Sequence, residues 1–181
     1  MQPLFQAHWN RLDAQWAGLF AQLKSLPPEK LLASPPGQWN ALEVVAHLIA
    51  AERTSLQYMQ KKSLGIATLD DSGFWETLKI QFLILTQRLP LRYKAPRVVL
   101  NQTGIGQDLR HLEADRVRLA EDWTRFLHSV PSEYSRRKIY RHVFAGRLDL
   151  GQALQFVLAH FQHHQAQLRR LLGPAGPGIS R

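Results

Sequence analysis

The stretch from residue 148 to residue 172 constrains the fold more than any other part of the chain. Its apolar residues recur at the spacing of one helix face: Leu150, Ala153, Leu154, Val157, Leu158, Leu168, Leu171 and Leu172. A face of this length must be covered by other elements to be stable. The stretch therefore predicts a long helix near 149–172 that packs within a larger helical core.

Three further segments have the same apolar period, and they predict helices near 3–25, 40–63 and 106–129. Pro27 and Pro131 end the first and third of these, because proline lacks a backbone donor and restricts the residue before it. The second begins with the pattern of a capping box, in which Asn40 is the N-cap and Glu43 lies three residues later. The spacing of the four helices predicts an all-α four-helix bundle.

The connecting segments are less regular. One helical turn is expected at 29–33, a shorter helix at 72–89 with Ser72 as its cap, and a loop around 98–100. Roughly 40 residues join the second and third long helices, which is long enough for a crossover that leaves them parallel. We expect no strand between 132 and 147, only a turn at Ala145-Gly146. The bundle is placed at 1–172, followed by a flexible Gly/Pro-rich tail at 173–181.

Composition excludes several classes of protein. The chain of 181 residues contains no cysteine, which rules out disulfides, thiolate metal sites and cysteine nucleophiles. No stretch resembles a membrane span or a signal peptide, so we expect a cytoplasmic protein. The net charge of +9 raises nucleic acid as a partner. Against that reading, the basic residues are scattered and the aromatic residues follow apolar stripes.

Two histidines in the last helix are the first candidate metal ligands. His160 and His164 are four residues apart, so both project from the same side of a helix and could bind one divalent metal. The pair alone fits two partly buried histidines equally well, and a catalytic zinc usually has three protein ligands. His47 is the strongly polar residue within the apolar run of the second helix. From the residues alone, it is either a hydrogen-bonded core histidine or a ligand.

Three stretches of the chain are similar to the DinB-like (DinB/YfiT) superfamily of metal-dependent enzymes. The stretch from Trp39 to Leu48 resembles the family's Trp-Ser-x-x-Glu-x-x-x-His-Leu motif, and 144–150 resembles its Gly-x-Leu-Thr-Leu approach to the last helix. The stretch from His160 to Leu168 resembles its His-x-x-His-His-x-x-Gln-Ile motif. The three motifs occur in the family's order and extend the resemblance over nearly the whole chain.

The resemblance implies a bundle with up-down-down-up topology and a divalent metal, zinc or nickel, held by His47, His160 and His164. His163 corresponds to a histidine that does not bind the metal, and no catalytic residue or other cofactor is assigned. The family also implies a small-molecule substrate such as a low-molecular-weight thiol, with a transferase, isomerase or hydrolase activity and a homodimeric state. Phe161 departs from the family, which often has an acidic or polar residue there. The alternatives are a non-catalytic helical stress-response protein, with or without metal, and a nucleic-acid-binding protein.

Overall fold

The computed structural model describes residues 3–88 and 108–173, which are mostly helical. The helices are α1 (Pro3–Lys24), α2 (Pro28–Leu32), α3 (Ala41–Ser63), α4 (Phe74–Arg88), α5 (Leu109–Ser129) and α6 (Leu150–Leu172). The four long helices predicted from the sequence are α1, α3, α5 and α6, and the predicted single turn is α2. The crossover residues 89–107, with the loop expected near 98–100, and the tail residues 174–181 lie outside the described part of the chain.

Side-chain caps determine where the long helices begin. The Asn40 side chain accepts from the backbone N–H of Glu43 at 2.9 Å, and the Glu43 carboxylate accepts from the backbone N–H of Asn40 at 2.8 Å. The predicted capping box is therefore confirmed. Asp149 and Gln152 form a second capping box at the start of α6. Each box satisfies helix-terminal N–H groups that would otherwise have no partner.

The prediction that the segment before the last helix contains no strand is wrong. Strands β1 (Tyr140–His142) and β2 (Gly146–Leu148) pair in an antiparallel hairpin, with Tyr140 opposite Leu148. Gly146 has a φ of +78°, a conformation that glycine adopts without steric cost. Three-residue strands are too short to show the alternation by which strands are recognised in a sequence.

The predicted role of Ser72 as the cap of α4 is also wrong. The helix begins at Phe74, and the backbone N–H of Gly73 donates to the Glu76 carboxylate at 2.9 Å. The Ser72 hydroxyl instead donates to the carboxylate of Asp149, at the start of α6. Its backbone N–H donates to the carbonyl of Arg136 at 2.7 Å. These bonds connect the start of α4 to distant parts of the chain.

The core lies between the four long helices. Helices α1 and α3 each pack against both α5 and α6, while α4 packs on the outer side of α6. The largest side chains that are fully buried are Trp16, Trp123, Phe5 and Phe161. Among the described helices, none is both long enough and apolar enough to span a membrane.

A buried ion pair connects three of these helices. The Glu52 carboxylate of α3 accepts from the Trp16 indole N–H at 2.9 Å and lies 3.8 Å from the Arg116 guanidinium of α5. Arg116 also bonds to Asp13 at 3.2 Å and lies over the Trp16 ring. Burial raises the pKa of Glu52, while Arg116 and the indole N–H oppose that rise. The pair fixes how α1, α3 and α5 meet.

Candidate metal centre

Two helices position the three predicted histidines. His47 lies in the middle of the buried run of α3 and is 4% exposed. His160 and His164 are one turn apart on α6, where both are half-buried. Because α3 packs directly on α6, the buried face of α3 brings His47 to the pair.

The three imidazoles converge. One ring nitrogen from each of His47, His160 and His164 lies within 4.8 Å of the others. The ring centroid of His47 is 5.3 Å from that of His160 and 4.8 Å from that of His164, and the latter two are 4.8 Å apart. This group contains no carboxylate. Three imidazoles are a donor set that suits zinc, nickel and other transition metals.

The hydrogen bonds of the cluster leave nitrogen lone pairs available. Nδ1 of His47 is buried and has no hydrogen-bond partner among the described residues. Nδ1 of His164 lies 2.9 Å from Oε1 of Gln167. Because an amide oxygen only accepts, that Nδ1 carries the proton and the lone pair of His164 is on Nε2. The residues therefore fit a bound cation, which would give the buried His47 nitrogen a partner.

Burial keeps these histidines neutral. Desolvation, with a smaller effect from His164, lowers the pKa of His47 to about 4. Desolvation also lowers the pKa of His164 to about 4, against the opposing effect of the Gln167 hydrogen bond. The pKa of His160 is lowered well below its usual value by burial and by the other imidazoles. Neutral imidazoles are the form that binds metal, so protons do not compete for the site at pH 7.

Aromatic side chains form the walls of the cluster. The Trp39 ring lies 5.0 Å from the His47 ring, and Phe156 stacks on His160 at 5.8 Å with the planes inclined by 14°. The His142 ring packs on Phe156 at 4.4 Å. Nδ1 of His142 accepts from the backbone N–H groups of Phe144 and Ala145, each at 3.2 Å, and so holds the hairpin turn.

The remaining histidines lie outside the cluster. His163 contacts His164 at a ring distance of 5.2 Å but is not one of the three convergent residues. His111 and His128 are exposed on α5, as the sequence predicts. His8 is half-buried and its ring nitrogen lies 3.4 Å from the side-chain amide of Gln155.

Phe161 faces the core, although it follows a member of the cluster. Its ring is 2% exposed and meets the edge of the Trp16 ring at 4.9 Å. The apolar residue at this position therefore fills the space between α6 and α1. The departure from the family pattern is explained by core packing.

An open groove elsewhere on the surface is separate from the histidines. It lies between α1 and α5, has a volume of about 730 Å³ and is lined by Asp13, Trp16, Lys24, Glu113 and Arg116 among others. Four of its charged side chains pair with one another: Lys24 contacts Glu113 at 2.7 Å, and Arg116 contacts Asp13 at 3.2 Å. None of the three histidines lines it.

The fold and the cluster define a helical protein in which two packed helices gather three neutral histidines. Comparison with protein families agrees with this description, since the family model of the DinB superfamily matches residues 11–168. The chain belongs to the DinB superfamily. No curated protein and no solved structure matches the chain.

Proposed function

We propose that this chain is a divalent-metal-dependent enzyme, with zinc or nickel held by His47, His160 and His164. The observation that carries the proposal is the unpartnered Nδ1 of His47, buried beside two other neutral imidazoles. A buried polar atom without a partner costs about 1–3 kcal/mol. A cation bound at that nitrogen and shared by the three rings would remove this cost and would explain why a histidine occupies the core of α3.

The chemistry that we propose is thiol-dependent transfer or isomerisation on a small molecule. A metal ion with three protein ligands and an open position supplies Lewis-acid activation, which lowers the pKa of a bound water or thiol. The three imidazoles contribute no negative charge, so an anionic ligand such as a thiolate would balance the charge of the site. Trp39 and Phe156 shield the rings from solvent, and Gln167 holds the proton on Nδ1 of His164.

The proposed topology is up-down-down-up, with residues 1–172 as one bundle. Pairs of residues that contact each other across two helices support this topology. If the residue numbers of successive pairs rise along both helices, the helices are parallel; if they rise along one and fall along the other, the helices are antiparallel. Between α1 and α5 the pairs are Trp9 with Trp123 and Lys24 with Glu113, an order that indicates antiparallel helices. Between α1 and α6 the pairs are His8 with Gln155 and Trp16 with Phe161, an order that indicates parallel helices. Between α3 and α6, His47 contacts His164, while Ser55 and Phe156 both contact Tyr140 of β1. This order indicates that α3 and α6 are antiparallel.

Replacing the ion by Co²⁺ tests the thiol chemistry directly. The cobalt-loaded protein should show a sulfur-to-cobalt charge-transfer band in the near ultraviolet when a low-molecular-weight thiol is added. The His160→Ala/His164→Ala variant serves as the control and should show no band. A band that is absent from the loaded wild-type protein at saturating thiol would contradict the thiol-dependent reaction.

A further inference from the structure

A fourth histidine, His142 of β1, packs beside the candidate metal centre. In β1, Tyr140 is buried, Arg141 is exposed and His142 is half-buried, which is the alternation of a strand with one inward face. The His142 ring lies 4.4 Å from the ring of Phe156, and Phe156 stacks on His160. His142 is also close enough to His160 that a charge on it would lower the pKa of His160. The two imidazoles therefore share one phenyl ring as a neighbour.

The turn of the hairpin determines which nitrogen of His142 carries the proton. The backbone N–H groups of Phe144 and Ala145 both donate to Nδ1, each at 3.2 Å. A nitrogen that accepts hydrogen bonds uses its lone pair, so the proton of the neutral ring is on Nε2. Burial lowers the pKa of His142 to about 4, which keeps the ring neutral at pH 7. The backbone of the turn thus holds an N–H donor in a fixed orientation.

This donor has no acceptor within the described residues. The only hydrogen bonds of the His142 side chain to residues 3–88 and 108–173 are the two at Nδ1, so the Nε2–H is left without a partner. Binding sites for small molecules combine aromatic walls with a few polar groups that fix the orientation of the ligand. A neutral N–H donor matches a carbonyl oxygen, which accepts a hydrogen bond and carries no net charge. The Nε2–H of His142 is a polar group of this kind.

We propose that His142 is a substrate-binding residue whose Nε2–H donates to a carbonyl oxygen of the small-molecule thiol. This inference rests on the proposed function, because it takes the thiol to bind at the three-histidine centre. It adds a second point of recognition and narrows the substrate class to thiols that also carry a carbonyl group. The hairpin then has a role beyond joining α5 to α6, since its turn orients the ring that contacts the substrate.

The His142→Asn variant separates the donor from the structural role of the ring. The asparagine carbonyl can accept from the same two backbone N–H groups, as in an Asx-turn, but the Nε2–H is gone. Two neutral thiols of similar length serve as probes of the cobalt-loaded protein: N-acetylcysteamine, which has an amide carbonyl, and pentane-1-thiol, which has none. The variant should raise the Kd of N-acetylcysteamine by about three- to tenfold, the effect of one neutral hydrogen bond, and leave that of pentane-1-thiol unchanged. The control Arg141→Asn, at an exposed position of the same strand, should change neither Kd.

Absence of the sulfur-to-cobalt band with both thiols in the wild-type protein would contradict the proposed function and this inference together. Bands from both thiols in the wild-type protein, with equal weakening or no weakening in His142→Asn, would overturn this inference alone.

A measurement on the wild-type protein decides the case if circular dichroism shows that His142→Asn is unfolded. With zinc in place of cobalt, ¹⁵N NMR at pH 7 should show the proton of His142 on Nε2. The Nε2–H signal should shift on addition of N-acetylcysteamine and not on addition of pentane-1-thiol. A proton on Nδ1, or the same shift with both thiols, would overturn the inference.

Discussion

The His47 ring lies 4.8 Å from the His164 ring, with the two planes inclined by 66°, although the residues belong to different helices. The contact exists because the buried face of α3 packs on the part of α6 that carries the histidine pair. Burial lowers the pKa of both imidazoles and so keeps the two rings neutral. A metal ion can be shared by α3 and α6 only if this contact holds His47 beside the histidine pair.

The Gln167→Leu change should weaken metal binding without unfolding the protein. Gln167 accepts from Nδ1 of His164 and thereby directs the Nε2 lone pair toward the cluster. Loss of such an outer hydrogen bond typically lowers metal affinity by about 10–100-fold. Competition with a chromophoric chelator measures the change. The control is Gln165→Leu, which removes only a contact of 3.2 Å with Arg169 and should leave affinity unaltered.

The metal-free protein should lose stability as the pH falls. The pKa values of His47 and His164 are about 4 in the folded chain, against 6.5 for an ordinary histidine. The unfolded chain therefore binds more protons between these values, so the stabilisation is complete above pH 6.5 and declines as the pH falls toward 4. Urea unfolding at several pH values measures this slope. His164→Asn should flatten it, while the exposed His111→Asn should not; an unchanged free energy of unfolding from pH 6.5 to 4 would refute the prediction.

Breaking the buried ion pair should be costly, and removing both partners should be less so. Arg116→Met leaves the Glu52 carboxylate buried without its cation and should lower the free energy of unfolding by about 3–5 kcal/mol. Glu52→Gln together with Arg116→Met should recover much of that loss, because the amide can still accept from Trp16. Denaturant unfolding of the single and double variants tests this. Arg118→Met, at an exposed pair, should change stability by less than about 0.5 kcal/mol.

Asp149→Ala should destabilise the start of α6. The carboxylate accepts from the backbone N–H of Gln152 at 2.8 Å and from the hydroxyl of Ser72. Loss of an N-cap costs about 0.5–2 kcal/mol, and the second bond places this change toward the upper end. Asp122→Ala, which removes an exposed pair with Arg125, is the control. Equal unfolding free energies for the two variants would show that the cap does not stabilise the helix.

The long helices could be predicted from the sequence because their apolar faces are periodic over many turns. The hairpin at 140–148 could not, because strands of three residues are too short to show alternation. The role of Ser72 could not be predicted either, since its hydroxyl bonds to Asp149 on a distant helix. Local spacing shows start and end signals well, but it does not show which distant partner a polar side chain finds.

The candidate site was predictable to different degrees. The spacing of His160 and His164 places them on one side of a helix, whereas the convergence of His47 depends on the packing of α3 on α6 and was expected only from the family resemblance. The hydrogen bond from His164 to Gln167 joins two residues three apart on α6; that spacing places them on one face, but it does not show that their side chains bond. His142 has no comparable signal in the sequence, because the hairpin that places it is too short to be predicted. The cytoplasmic location stays a prediction.

Metal content of the purified, untagged protein is the most direct test of the central claim. After loading with zinc or nickel and removal of the excess, the wild-type chain should retain one ion, and so should the His111→Ala/His128→Ala variant, whose histidines are exposed on α5. The His160→Ala/His164→Ala variant should retain none, because one imidazole cannot hold the ion. Equal retention by the two double variants, or no retention by the wild-type protein, would contradict the three-histidine site.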